Sequence, residues 1–157
     1  MIATKSKLVL WLATGGPAGH SPVAPGTCGT LVGVPFSLGL NWVAALSLTS
    51  SLALLLAFTA GAIWVSGRAA ALMAQKDPSR IVIDEIIGFM IANYLAPARA
   101  LSVISAFVIF RVFDIAKVYP ASRIQKLPGG TGIVLDDIVA GLYTFAIVQL
   151  LSGWRVI

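Results

Sequence analysis

The fold class that this sequence predicts is all-α: a polytopic membrane bundle of about four to five apolar helices plus a short N-terminal helix. Three observations carry the prediction. Of 157 residues, 58% are hydrophobic and 11% charged, with a mean hydropathy of +0.93, which excludes an ordinary soluble domain. From Ser21 through Gly67 there is no Asp, Glu, Lys or Arg, a run long enough for two spans of about 20 residues each. Further apolar segments follow, separated by proline, glycine and charged breaks. In lipid an open strand leaves its backbone unsatisfied, so these segments read as helices.

The elements follow in order. Met1 to Thr14 has a basic flank at Lys5 and Lys7 and a short apolar core. It looks superficially like a signal peptide, but Gly15 to Gly29 offers no small-x-small cleavage site, so it is expected to be a retained interfacial or buried helix. Segment one runs from about Thr27 to Leu40 and ends near Asn41. Segment two runs from about Trp42 to Gly67. After the polar stretch Lys76-Asp77-Pro78-Ser79-Arg80, segment three covers about Ile81 to Leu95 and is closed by Pro97. Segment four covers about Ala100 to Val118 and is ended by Pro120. A loop containing Pro128-Gly129-Gly130-Thr131-Gly132 leads to segment five, about Ile133 to Leu151. Segments one and three are short for full spans. No internal repeat divides the chain, and residues 1–157 are expected to form one domain.

The single Cys28 excludes an internal disulfide and a cysteine-based zinc cluster. A net charge of +5 is compatible with nucleic acid. The bases, however, flank apolar segments rather than clustering among aromatics, so the expected partners are anionic phospholipid and the bilayer, with no nucleic acid. Trp11, Trp42, Trp64 and Trp154 fall near segment ends, as interfacial anchors do.

The acidic residues are the most informative. Five of six, Asp84, Glu85, Asp114, Asp136 and Asp137, lie in or against apolar stretches, and only Asp77 lies in a polar loop. A central Asp costs roughly 2.5–3.5 kcal/mol on insertion scales, so such groups face a partner or a wet cavity. If the segments cross in succession, all five fall on one membrane face, together with the Gly15–Thr30 loop. That face also takes nine of the eleven bases, leaving Arg99 and Arg155 for the other. The bias makes the carboxylate face cytoplasmic, on a membrane protein with several spans.

Four stretches carry candidate chemistry. In Pro25-Gly26-Thr27-Cys28-Gly29-Thr30, Gly26 and Gly29 permit close backbone approach, and Thr27 or Thr30 can cap a helix whose amides suit a phosphate. A plain helix start explains the same residues. In Ile83-Asp84-Glu85-Ile86-Ile87-Gly88, adjacent acids point about 100° apart. Helix-dipole compensation explains one of them better than two. In Phe110-Arg111-Val112-Phe113-Asp114-Ile115-Ala116-Lys117, Arg111, Asp114 and Lys117 form a drifting polar stripe, read equally as an ion-pair ladder. In Gly132-Ile133-Val134-Leu135-Asp136-Asp137-Ile138-Val139-Ala140-Gly141, a second acidic pair precedes a small-residue face. Converging carboxylates repel unless cations intervene, and oxygen ligands without histidine or thiolate suit Mg²⁺, or Mn²⁺ in its place. His20 is alone and Cys28 has no arginine at phosphatase spacing, so neither is assigned chemistry.

Together these four stretches resemble the phosphatidylglycerophosphatase A family of bacterial membrane lipid phosphatases, in order and over most of the chain. One departure is that Lys117 is followed by Val118-Tyr119-Pro120, where the family usually continues Lys-Pro-x-Pro. The resemblance implies an all-helical, Mg²⁺-dependent enzyme that removes the terminal phosphate of phosphatidylglycerophosphate to give phosphatidylglycerol. The expectation is then that Asp84, Glu85, Asp136 and Asp137 hold the metal, with Asp114 in the same catalytic cavity. Gly26, Thr27, Gly29, Thr30, Arg111 and Lys117 are expected to meet phosphate. Activated water and an aspartyl nucleophile both fit. A rival reading is a small cation carrier or channel using the carboxylates in transit, and a third is an assembly subunit with its acids paired to bases. Clustering of the acids at one face favours the enzyme.

Overall fold

The computed structural model describes residues 4–157, and the described chain is all-helical. The helices are α1 (Thr4–Ala13), α2 (Pro25–Leu46), α3 (Leu48–Met73), α4 (Ile83–Ala92), α5 (Ala100–Ala116), α6 (Ala121–Ile124) and α7 (Gly130–Gly153), with a 3-10 turn at Ala18–His20. The N-terminal segment is helical as expected, although Met1 to Ala3 of it lie outside the described residues. By length and composition α2, α3 and α7 can each cross a membrane. Successive segments reverse direction, so the starts of α2, α4 and α7 meet the end of α5 and the loop after α3 around one cavity. Arg99 and Arg155 share another at the opposite end with Pro97 and Ser152. The five acids threaded to one face thus lie together with Arg111 and Lys117, apart from Arg99 and Arg155.

The first break lies later than the sequence suggested. Segment one does not end near Asn41; α2 runs on to Leu46, and segment two begins at Leu48 and continues to Met73. Ser47 is the true punctuation, its side chain accepting from the Ser50 N–H at 3.2 Å, the bond of an N-cap. Segment one is therefore a full 22-residue helix, and of the two segments expected to be short, only segment three is.

Asn41 looked like a loop residue because it is polar, but its work is tertiary. Its Nδ2 donates to the Asn93 carbonyl and its Oδ1 accepts from the Leu95 N–H, both at 2.8 Å. These bonds close the end of α4, which has ten residues and spans about 15 Å, half of the roughly 30 Å hydrocarbon core. Asn93 Nδ2 donates to Ser37 Oγ at 2.9 Å, Gln149 donates to the Tyr94 carbonyl at 2.9 Å, and the Tyr94 hydroxyl meets Ser51 Oγ at 2.6 Å. Irregular backbone at membrane depth is tolerated when surrounding helices satisfy it in this way.

Helix α7 is the axis of the bundle, packing on α3, α4, α5 and α6. Small residues set its contacts. A Cβ on Gly141 would collide with the Gly88 carbonyl oxygen, and one on Gly88 would stand 2.9 Å from the Asp137 carbonyl and 2.7 Å from Phe110 Cζ. At the other crossing Gly130 abuts Ile63 and Gly67 of α3. Close backbone approach replaces the hydrophobic drive that is absent between helices in lipid. The glycine-rich stretch before segment five is thus largely a packing device, and α7 begins at Gly130 rather than Ile133. Helix α5 ends at Ala116, before the expected Val118, because Lys117 takes a left-handed backbone (φ 48°).

Candidate active site

Five parts of the chain wall a cavity of about 310 Å³ at the carboxylate end. The first turn of α4 presents Asp84 and Glu85. The last turns of α5 present Arg111 and Asp114, with Lys117 as its cap. The first turns of α7 present Asp136 and Asp137, and the start of α2 presents Gly26. The fifth is the loop from α3 to α4, which contributes Asp77, Pro78, Ser79 and Ile81. Asp84, Asp114, Asp136 and Asp137 are all buried, so the five expected acids do converge.

They divide into two sets. Asp84, Glu85 and Asp137 each offer an oxygen, all within 4.8 Å of one another. Asp114 and Asp136 are matched with bases. Arg111 donates to Asp114 at 2.6 Å and approaches Glu85 at 4.0 Å, while Lys117 bonds Asp136 and lies 3.9 Å from Asp114. The division follows from helix geometry. Adjacent side chains diverge by about 100°, so Asp137 turns to α4 while Asp136 turns to the end of α5. Asp136 was expected in the metal-holding set; it stands instead on Lys117, with its Oδ1 unpartnered.

The donor set fits a hard divalent cation. Asp84 Oδ1 and Glu85 Oε2 are buried without a hydrogen-bond partner, and such groups are costly unless something compensates them. Three clustered carboxylates supply the oxygen ligands that Mg²⁺ or Mn²⁺ takes. Lys117 is a lasting cation. Burial lowers its pKa, but the hydrogen bond to Asp136 and the charges of Asp136, Asp137 and Asp114 outweigh this, and the net shift is upward from 10.5. It stays protonated through neutral and mildly alkaline pH and does not serve as the base.

The Pro25–Thr30 stretch is only partly a cavity wall. Gly26 lines it, and a Cβ there would collide with Glu85 Oε1 and stand 3.1 and 3.2 Å from the Arg111 guanidinium nitrogens. Neither Thr27 nor Thr30 caps α2: Ala24 is the N-cap, without a side-chain bond. Thr30 is buried; its hydroxyl donates to the Gly26 carbonyl at 2.9 Å and accepts from Arg111 Nη1 at 3.4 Å. Thr27 faces an outer groove instead, and Gly29 packs on Val82, whose Cβ would be 2.6 Å from an added methyl. A larger residue at position 26 should therefore displace both Glu85 and Arg111. Gly26→Val is expected to lower turnover by on the order of 10–100-fold with folding intact, as read by steady-state kinetics alongside size-exclusion chromatography.

Asp77 is the residue that sequence reasoning missed. It was placed in an ordinary polar loop, yet that loop folds over the acids and Asp77 lines the same cavity. The threading already put Lys76 to Arg80 on the carboxylate face, and that was the available signal. His20, exposed, and Cys28, half-buried, lie outside the cavity. With all six acids at one end and Arg99 and Arg155 at the other, no file of carboxylates crosses the bundle. The carrier reading finds no support.

Comparison with known proteins gives the family. A model of the family phosphatidylglycerophosphatase A matches residues 11–152. The chain is 34% identical to phosphatidylglycerophosphatase A of Escherichia coli, over 90% of this chain and 81% of that protein. It is 33% identical to the protein of the same name from Haemophilus influenzae, over 91% and 88%. It is also 34% identical, over 92% and 94%, to a Bacteroides thetaiotaomicron protein named for a proposed phosphatidylinositol-3-phosphatase activity. No solved structure gives a significant match. With a family match over most of its length and its acidic motifs assembled in one cavity, the chain belongs to the phosphatidylglycerophosphatase A family of membrane phosphatases.

Proposed function

We propose that this protein hydrolyses the terminal phosphomonoester of phosphatidylglycerophosphate, giving phosphatidylglycerol and phosphate. The reaction would take place at the cytoplasmic face of a bacterial inner membrane. The observation that carries the proposal is the triad of Asp84, Glu85 and Asp137 beside Arg111 and Lys117, in one buried cavity of a chain from this family. The excess of bases at that end supports the cytoplasmic orientation.

Asp84, Glu85 and Asp137 would hold Mg²⁺, and Asp136, whose Oδ1 is unpartnered, lines the same cavity. The ion would neutralise the phosphomonoester and stabilise charge on the leaving oxygen. Arg111 and Lys117 orient the phosphate oxygens, and their ion pairs with Asp114 and Asp136 fix both bases in place. A carboxylate of the cluster takes the proton of the attacking water. The water oxygen bonds to phosphorus as the phosphorus–oxygen bond to the lipid glycerol breaks, and the proton taken up by the carboxylate passes to that glycerol oxygen.

The test is phosphate release by purified protein from phosphatidylglycerophosphate and from phosphatidylinositol 3-phosphate, with and without Mg²⁺. Magnesium-dependent turnover of the first lipid is expected, abolished by EDTA and restored by added Mg²⁺ or Mn²⁺. Faster turnover of the inositol lipid would move the proposal to the activity named for the Bacteroides relative. No metal-dependent turnover of either by folded protein would remove it.

A further inference from the structure

Two large apolar hollows flank the bundle, each of about 510 Å³. One lies among α1, α2, α3 and α4, against Ile83, Ile86, Ile87 and Met90. Those residues recur at helical spacing along one face of α4, whereas Asp84 and Gly88 occupy another. The helix itself therefore stands between this hollow and the acids. So does the junction where the Val82 N–H donates to the Ala13 carbonyl at 2.9 Å. The hollow and the acid cavity share no wall residue.

The second hollow is a groove along the outside of α5, between it and the start of α2, lined by Thr27, Phe107, Val108, Arg111, Val112 and Ile115. Arg111 lines both this groove and the acid cavity. Around it α5 turns large apolar side chains outward: Ile104, Val108, Val112 and Ile115 are 55–71% exposed. In a membrane-spanning chain such a face meets lipid. Gly26, whose missing side chain leaves room for the guanidinium, and Thr30, which accepts from it, hold Arg111 on the boundary.

We propose that the α2–α5 groove is the lateral port of the enzyme and holds an acyl chain of the phospholipid substrate, with Arg111 as the lip over which the headgroup turns into the carboxylate cavity. The occupant follows from continuity: one end of the groove is apolar and open to the bilayer, and the other is a cation at the mouth of the 310 Å³ carboxylate cavity. The inference rests on the phosphatase reading for the identity of the lipid, but the port can be tested without catalysis.

Val108→Trp fills the groove from an exposed position one turn from Arg111. Ala57→Trp, also exposed, fills the other hollow. Both proteins, and the unaltered one, would be placed in phosphatidylcholine nanodiscs doped with phosphatidic acid carrying a diazirine on its acyl chain. Adducts are expected on residues 107–116 and Thr27, lost in Val108→Trp and kept in Ala57→Trp. Adducts that ignore Val108→Trp, or that map to the α3 side, overturn the port. In turnover, Val108→Trp should lower kcat/KM for a dioleoyl substrate by about ten-fold or more and leave a dihexanoyl substrate unchanged. Equal loss on both would overturn the proposal. If the unaltered protein hydrolyses no lipid phosphomonoester, the phosphatase reading fails, and the adduct map still decides the port.

Discussion

Asp137→Asn is expected to reduce phosphate release by about 100-fold or more while leaving expression and folding intact. The change keeps the shape of a side chain that is only 3% exposed, so no cavity opens and no backbone moves. What it removes is one negative charge from the triad with Asp84 and Glu85, along with one oxygen able to bind a cation. Groups merely bonded to metal ligands cost about 10–100-fold in metal affinity or activity when lost, and a member of the cluster itself should cost at least as much. Kinetics over a magnesium titration check this: the half-saturating Mg²⁺ concentration should rise along with the fall in turnover. Near-normal turnover at ordinary Mg²⁺ would remove Asp137 from the catalytic set.

Gly141→Val should damage the fold itself as well as the site. Its Cβ would collide with the Gly88 carbonyl oxygen and stand 3.2 Å from Ile91 Cβ, and backbone cannot swing aside as a side-chain tip can. Overpacking of this kind costs roughly 1–3 kcal/mol or more. Because α4 and α7 carry Asp84 and Glu85 on one side and Asp137 on the other, prying them apart also spreads the triad. The expected result is a lower thermal midpoint in detergent, with turnover lost even in the fraction that stays monodisperse. Gly39→Ala is the control: nothing lies within 4 Å of a Cβ there, and replacing a mid-helix glycine gains about 0.5–1 kcal/mol. If both variants melt like the unaltered protein, close α4–α7 packing is not what holds the acids together.

Residues whose role is local were the ones that could be read in the sequence. Helix type followed from hydropathy alone, since a chain with no charge from Ser21 through Gly67 has few alternatives in lipid. The gathering of Asp84, Glu85, Asp114, Asp136 and Asp137 followed from counting crossings. Residues whose role depends on a distant partner were misread. Asn41 resembles a break, yet it stays helical because Asn93 and Leu95 of the α4 end occupy its amide. Gly29 and Thr30 resemble a phosphate loop, but one packs on Val82 and the other holds Arg111. Asp77 resembles a solvated loop residue, and only the fold of its loop over the cavity brings it to the acids.

The costly acids in apolar surroundings were therefore enough to establish a membrane helical bundle with one acidic end, because insertion cost and crossing parity depend on sequence order alone. Which acids stand together and which stand on bases was decided only by the tertiary structure. Asp136 and Asp137 are neighbours of identical chemistry, and no pattern in the chain separates them. The α7 axis turns one to Lys117 and the other to Asp84 and Glu85. That rotation is set by where Gly88 and Gly141 let two backbones touch.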